Sequence, residues 1–322
     1  MNDSITVTDP IDARLRSGEW VEVRGAEEIA RSLDEDGTLD GLPFMAEMLA
    51  YCGRRSRVLR PAEKTCVEVA SGDYAIREFR GDDVVLLEGL RCSGADHDGC
   101  QRACMFFWKM AWLRRAGPDR PTPPASGVGT EKLRPRLKTM SAPGRYFCQS
   151  TELAKATQPL TRPRILLKCI RDIRSGAVGV FQMSRLILVP LWRKITKKFH
   201  RDVVGTLTRT PLGQLELKPG EVVEVKSIEE ITRTLDEKGR NRGLQCYIEL
   251  KQFSGKKFRV RNRLDRMISE PTGEMRKTQG TVILEDNHCL CANVLGGCPR
   301  RDFTYWREVW LERAGASERT KE

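Results

Sequence analysis

The stretch GEWVEVRGAEEIARSLDEDG, residues 18 to 37, decides the fold, because residues 220 to 239 read GEVVEVKSIEEITRTLDEKG. The two agree at 13 of 20 positions without a gap. Outward from it, DGLPFMAEMLAYCGRRSRVLR (40 to 60) answers RGLQCYIELKQFSGKKFRVRN (242 to 262), and VVLLEGLRC (84 to 92) answers TVILEDNHC (281 to 289). WKMAWLRRAG (108 to 117) answers WREVWLERAG (306 to 315). Two copies make a pseudo-symmetric pair, since a solenoid needs at least ~three units.

Within a copy the pattern is mostly β. EWVEVR and EVVEVK alternate apolar and polar residues, the period of a half-buried strand. A short helix follows; in the second copy Ser227 and Glu230 form a capping box, and Ile231 and Leu235 share an apolar face. Gly37 and Gly239 are placed to end it. SRVLR, KFRVR, DDVVLLEG and GTVILED read as further strands. The closing segment is open between strand and helix; Trp108 and Trp112, like Trp306 and Trp310, stand four apart, which favours one helical face. Small β units opening G-E-x-V-E-V resemble SH3-like barrels. The expected class is therefore mainly β with α (α+β): two homologous SH3-like units joined by a basic helical insert. The expected boundaries are a flexible N-terminus (1–16), unit 1 with its cysteines (17–117), the basic linker and insert (118–218), unit 2 (219–315) and a tail (316–322).

The net charge of +12 is uneven. Residues 118 to 219 hold 20 Lys/Arg against 6 Asp/Glu, and 132 to 201 hold 17 against 2. Such asymmetry points to a partner rather than a fold. Residues 117 to 138 read as a Pro/Gly-rich linker and the stretches after them as helices, the last interrupted by Pro190, where a kink or break is expected. Three partners suit the segment 132 to 201: nucleic acid, an acidic protein, or an anionic membrane surface. Lys194, Lys197, Lys198 and Arg193 supply the charge and Trp192 an apolar anchor. A solvated basic face is the bland alternative.

Eleven cysteines accompany no apolar leader at the N-terminus, so a reducing cytoplasm is expected, and there metal binding is commoner than disulfides. No stretch reaches the ~18 apolar residues of a spanning helix, which leaves a cytoplasmic protein, with or without peripheral membrane contact. In copy 1 the candidate ligands are Cys66, Cys92, Cys100 and Cys104, with His97 as a substitute for any one. Four thiolates converging from loops and strand ends suit zinc. Iron or an iron–sulfur cluster takes the same donors. Buried structural thiols and a reactive thiol are the competing readings. In copy 2, Cys289 aligns with Cys92 and Cys298 with Cys100, but Ile268 stands opposite Cys66 and Asp302 opposite Cys104. His288 and Cys291 are new there, so the second cluster is either a lost site or a different one. Two acids recur, Glu47/Glu249 and Asp34/Asp236, for which a turn role is the simpler reading; the recurring Arg57-Val58 and Arg259-Val260 read as strand faces with Arg out and Val in.

The stretches GLPFMAEMLAYCGRRSRV, LRCSGADHDGCQRAC, FCQSTELAKAT and RDIRSG resemble a bacterial family with tandem repeats of this kind, whose members sit among biosynthetic genes. That resemblance implies no catalytic residues. With three histidines and no P-loop, dinucleotide loop or nucleophile elbow, the sequence favours a metal-stapled binding or scaffold module acting on an anionic or acidic partner. A biosynthetic metalloenzyme with its site in the second cluster is the alternative.

Overall fold

A computed structural model describes residues 14–62, 64–68, 74–117, 129–196, 203–289 and 299–314. The alternation at the head of the repeat acts as period two dictates: in β1 (Trp20–Val23) both valines are buried. Helix α1 (Ala26–Ala30) follows, its first turn capped by the Glu28 carboxylate, which accepts from the Gly25 N–H at 3.1 Å. It stops well before Gly37. That glycine, with φ of 74°, lies in the next turn, where Asp34 accepts from the N–H groups of Asp36 and Thr38 at 3.0 and 2.8 Å. The copy 2 acid Asp236 does the same for Lys238 and Arg240, so this recurring acid builds a turn.

Copy 1 continues with β2 (Arg55–Pro61), β3 (Thr65–Glu68), β4 (Tyr74–Phe79), β5 (Val84–Arg91), β6 (Met105–Lys109) and β7 (Leu113–Arg115). Five of these strands form an antiparallel sheet in the order β6-β5-β2-β1-β7. Four of them run β1-β2-β5-β6 side by side, and the fifth strand, β7, returns to β1 with Val21 opposite Arg115. The tryptophans do not share a helix. Trp108 lies on β6 and Trp112 in a single 3-10 turn between β6 and β7. A strand running into one tight turn swings the second indole back to the same core, and both are fully buried.

The middle of the chain is not a detached insert. Residues 118 to 128 of the expected linker lie outside the described residues. Leu133, Leu137, Cys148, Leu153 and Ala156 belong to the core of copy 1, and β8 (Thr157–Pro159) pairs with β4, Thr157 opposite Phe79. Gln149 ties this segment down: its amide donates to the carbonyls of Pro43 and Phe107 at 2.9 and 2.8 Å, and its oxygen accepts from the Phe107 N–H at 2.8 Å. Copy 1 therefore borrows residues well past 117, because a sheet of short strands needs that cover to close its core. Beyond it, α2 (Arg162–Arg174) and α3 (Val180–Thr196) pack on each other around Cys169, Val178 and Met183. Pro190 removes one helical N–H without ending α3.

Copy 2 repeats the plan with β9 (Val222–Val225), α4 (Ile228–Thr232), β10 (Lys257–Arg263), β11 (Arg266–Ile268), β12 (Met275–Lys277), β13 (Thr281–His288), β14 (Phe303–Arg307) and β15 (Leu311–Arg313). Its sheet order is β14-β13-β10-β9-β15, the same path. Ser227 and Glu230 form the expected capping box. Both sheets slip register at equivalent points, Val58/Arg60 and Val260/Asn262, and such bulges curl a sheet. Trp112 donates to the Ser32 hydroxyl at 3.2 Å and Trp310 to Thr234 at 2.9 Å, the same bond in both cores. Val58 and Val260 are buried, while Arg57 and Arg259 donate to the carbonyls of Gly18 and Gly220. Among the described residues no helix is long and apolar enough to cross a membrane.

Candidate metal centre

The loop joining β5 to β6, residues 92 to 104, is folded by its glycines. Gly94 has φ of 78°, and its carbonyl accepts from the N–H groups of both His97 and Gly99 at 2.9 Å. The Cys92 N–H donates to the Cys104 carbonyl at 2.8 Å and closes the neck. The result turns His97 inward, 2% exposed, against Cys92. Glu47, on the 3-10 turn Ala46–Tyr51, reaches the same place. Its carboxylate accepts from the Ser93 N–H and hydroxyl at 2.7 and 2.9 Å, and from the Cys92 thiol at 3.4 Å. Ligand atoms of Glu47, Cys92 and His97 lie within 4.8 Å of one another.

The His97 tautomer follows from its surroundings. Nε2 stands 3.0 Å from the Phe147 carbonyl, which can only accept, so Nε2 carries the proton. Nδ1 is then left with a bare lone pair, buried and without a partner. A backbone carbonyl fixing one ring nitrogen while the other is left without a partner is how proteins orient a histidine toward a metal. A cavity of about 30 Å³ adjoins these groups, lined by Cys92, His97, Cys100, Cys104 and Cys148. It has room for little more than an ion and a water.

Burial holds the Cys92, Cys104 and Cys148 thiols above their ordinary values, the opposite of a poised nucleophile. Burial pushes Cys104 up to about 12, only partly opposed by Arg102. Burial and then the Glu47 charge push Cys92 far above its ordinary value. A reactive cysteine needs the opposite shift, whereas a bound cation ionises a thiol outright. Burial raises the Glu47 carboxyl, but the bonds from Ser93 and Cys92 outweigh it and hold it below its ordinary value.

Of the sequence candidates, Cys92, His97, Cys100 and Cys104 come to one cavity. Cys66 does not line it; on β3 its carbonyl accepts from Arg300 at 2.8 Å. Glu47 and Cys148 were missed. Glu47 recurs as Glu249, a pattern that fits a turn acid as well as a ligand, and Cys148 arrives from beyond the apparent end of copy 1. Asp302 joins the copy 1 cavity wall, 3.0 Å from Arg300.

The loop also sits on copy 2. The Gln101 side chain accepts from the N–H groups of Asp265 and Arg266 at 2.6 and 3.0 Å, and the Ile268 N–H approaches the Cys100 sulfur at 3.4 Å. Glu270 pairs with Arg300 at 2.9 Å and Arg102 at 3.6 Å, all three buried, and accepts from the half-buried Glu68 N–H at 2.9 Å. The candidate centre is thus part of the junction between the copies.

The second cluster is different. Cys289 repeats the neck bond, donating to the Asp302 carbonyl at 2.7 Å, and is exposed. Cys291 and Cys298 lie outside the described residues. His288 lines an open cleft of about 370 Å³ with Arg91, Arg261, Arg301 and Phe303. Burial, then Arg301 and Arg91, push its imidazole down to about 4. Of the proposed partner residues, Trp192, Arg193 and Lys194 fall in α3, while Lys197 and Lys198 lie outside the described residues.

The chain matches no protein-family model, no curated protein and no solved structure.

Proposed function

We propose that the chain is a metal-stapled scaffold whose first copy holds one zinc ion through Cys92, His97 and Glu47, with a cysteine of the adjoining cavity completing the set. The observation that carries this reading is the buried Nδ1 of His97, unpartnered beside a thiol and a carboxylate. A mixed S/N/O set suits zinc better than an iron–sulfur cluster, whose usual ligands are thiolates. The confined cavity suits a closed, structural ion rather than one with an exchangeable position. Because the ligand loop rests on Asp265 and β11, the ion would fasten the two copies to each other as well as close copy 1. We read each curled sheet as an SH3-like barrel, supported by the four strands side by side, the fifth strand returning to the first, and the 3-10 turn between the last two.

Cobalt substitution tests the ligand set. Metal-stripped protein refilled with cobalt should show thiolate-to-cobalt charge transfer, weakened in Cys92→Ser and altered in His97→Ala. Folded protein that takes up no cobalt would sink the proposal.

A further inference from the structure

The helix pair α2–α3 turns an apolar face away from every core. Helix α2 buries Lys168, Cys169 and Asp172 and exposes Leu166 (62%), Leu167 and Ile170. Helix α3 buries Met183 and exposes Phe181 (87%) and Leu188 (61%). The opposite side of α2 is fixed to copy 1. Lys168 and Arg171 pair with Asp82, Arg164 pairs with Glu78 at 3.0 Å, and Asp172 receives Arg60 and Lys64, both at 3.3 Å. The docked side is therefore polar and satisfied, and the free side is apolar.

The charges around that free side have one sign. Arg164, Arg174 and Arg185 are exposed, and residues 185 to 196 of α3 carry three Lys/Arg and no Asp/Glu. A leucine, isoleucine and phenylalanine face rimmed by cations matches the boundary between anionic headgroups and acyl chains. Nucleic acid would use the charges and leave Phe181 and Leu188 in water. An acidic protein would account for the charge without needing so bare an aromatic.

We propose that α2–α3 docks on an anionic lipid surface, with Phe181, Leu188, Leu166 and Ile170 entering the acyl boundary and the basic residues meeting the headgroups. This rests on residues that do not belong to the Glu47, Cys92 and His97 group and is independent of the zinc reading. The test is co-sedimentation of the full chain with vesicles of phosphatidylcholine alone and of phosphatidylcholine mixed with phosphatidylglycerol. Binding is expected only to the mixed vesicles and should weaken as salt rises. The double variant Phe181→Ser/Leu188→Ser, at exposed sites, should keep the wild-type circular dichroism and melting point while binding falls about tenfold or more. Arg185→Glu should lower it several-fold. Three results would overturn the proposal: equal binding to neutral vesicles, undiminished binding by the double variant, or a lipid-free dimer that the double variant dissociates. Retention of RNA by wild type and double variant alike, with no vesicle binding, would overturn it in favour of nucleic acid.

Discussion

At the scale of single residues the account turns on a few atoms around His97. Replacing His97 by Ala removes the proposed nitrogen ligand and leaves the buried Phe147 carbonyl and Glu47 without it. We expect loss of the metal and a cost of several kcal/mol, about what removing a structural ligand entails, read by chemical denaturation with and without added zinc. Cys66→Ser should keep the metal, since Cys66 does not line the cavity; metal loss in that variant would mean that β3 supplies a ligand. Gly94→Ala tests the loop. A Cβ there would fall 2.0 Å from the Cys100 carbonyl oxygen on a backbone with φ of 78°. The variant should be destabilised by more than about 1 kcal/mol and hold zinc more weakly, measured by competition with a chromogenic chelator. Of the residues that meet at the candidate centre, Cys92 and His97 stand out in the sequence by their spacing. Glu47 does not, because a recurring acid is equally well a turn-former, as Asp34 and Asp236 are; only the folded loop distinguishes them.

At the scale of elements, the strands announced themselves by alternation and the copy 2 helix by its capping box. The last segment did not, since four-residue spacing of tryptophans fits a helix and also a strand entering a 3-10 turn. β8 was equally hidden: TQP has no strand pattern of its own and exists because β4 offers an unpaired edge. At the junction of the two copies the contact to break is the Glu270–Arg300 pair, both residues of copy 2, which also reach the Glu68 N–H and the Cys66 carbonyl of copy 1. Arg300→Met leaves a buried carboxylate short of its partner and should cost roughly 3–5 kcal/mol, measured by urea unfolding. Its acid dependence has a definite sign. Burial raises the Glu270 carboxyl, but Arg300 and Arg102 outweigh it and hold it below the ordinary value of 4.5. The pair's contribution is therefore fully present above pH 4.5 and fades as pH falls through the lower, folded value. Wild type and Glu270→Gln should differ most near neutrality and converge in acid. A gap that widens in acid would contradict the pairing.

At the scale of the whole molecule, the repeat made two similar sheets legible, but not how they join. The expected basic insert proved partly to complete copy 1, and residues 99 to 102 reach across to β11. Stripping the metal should therefore loosen both sides of the junction. Hydrogen exchange is expected to speed up together at residues 92–104 and 266–277, while β13 and β14 stay protected. Exchange confined to copy 1 would show that the staple acts within one copy only. The central claim, a structural zinc held at Glu47, Cys92 and His97, is met most directly by the metal content of freshly purified protein followed through chelation. The account predicts one zinc per chain, whose removal lowers the melting temperature. Protein that purifies without metal and melts identically in chelator would contradict it.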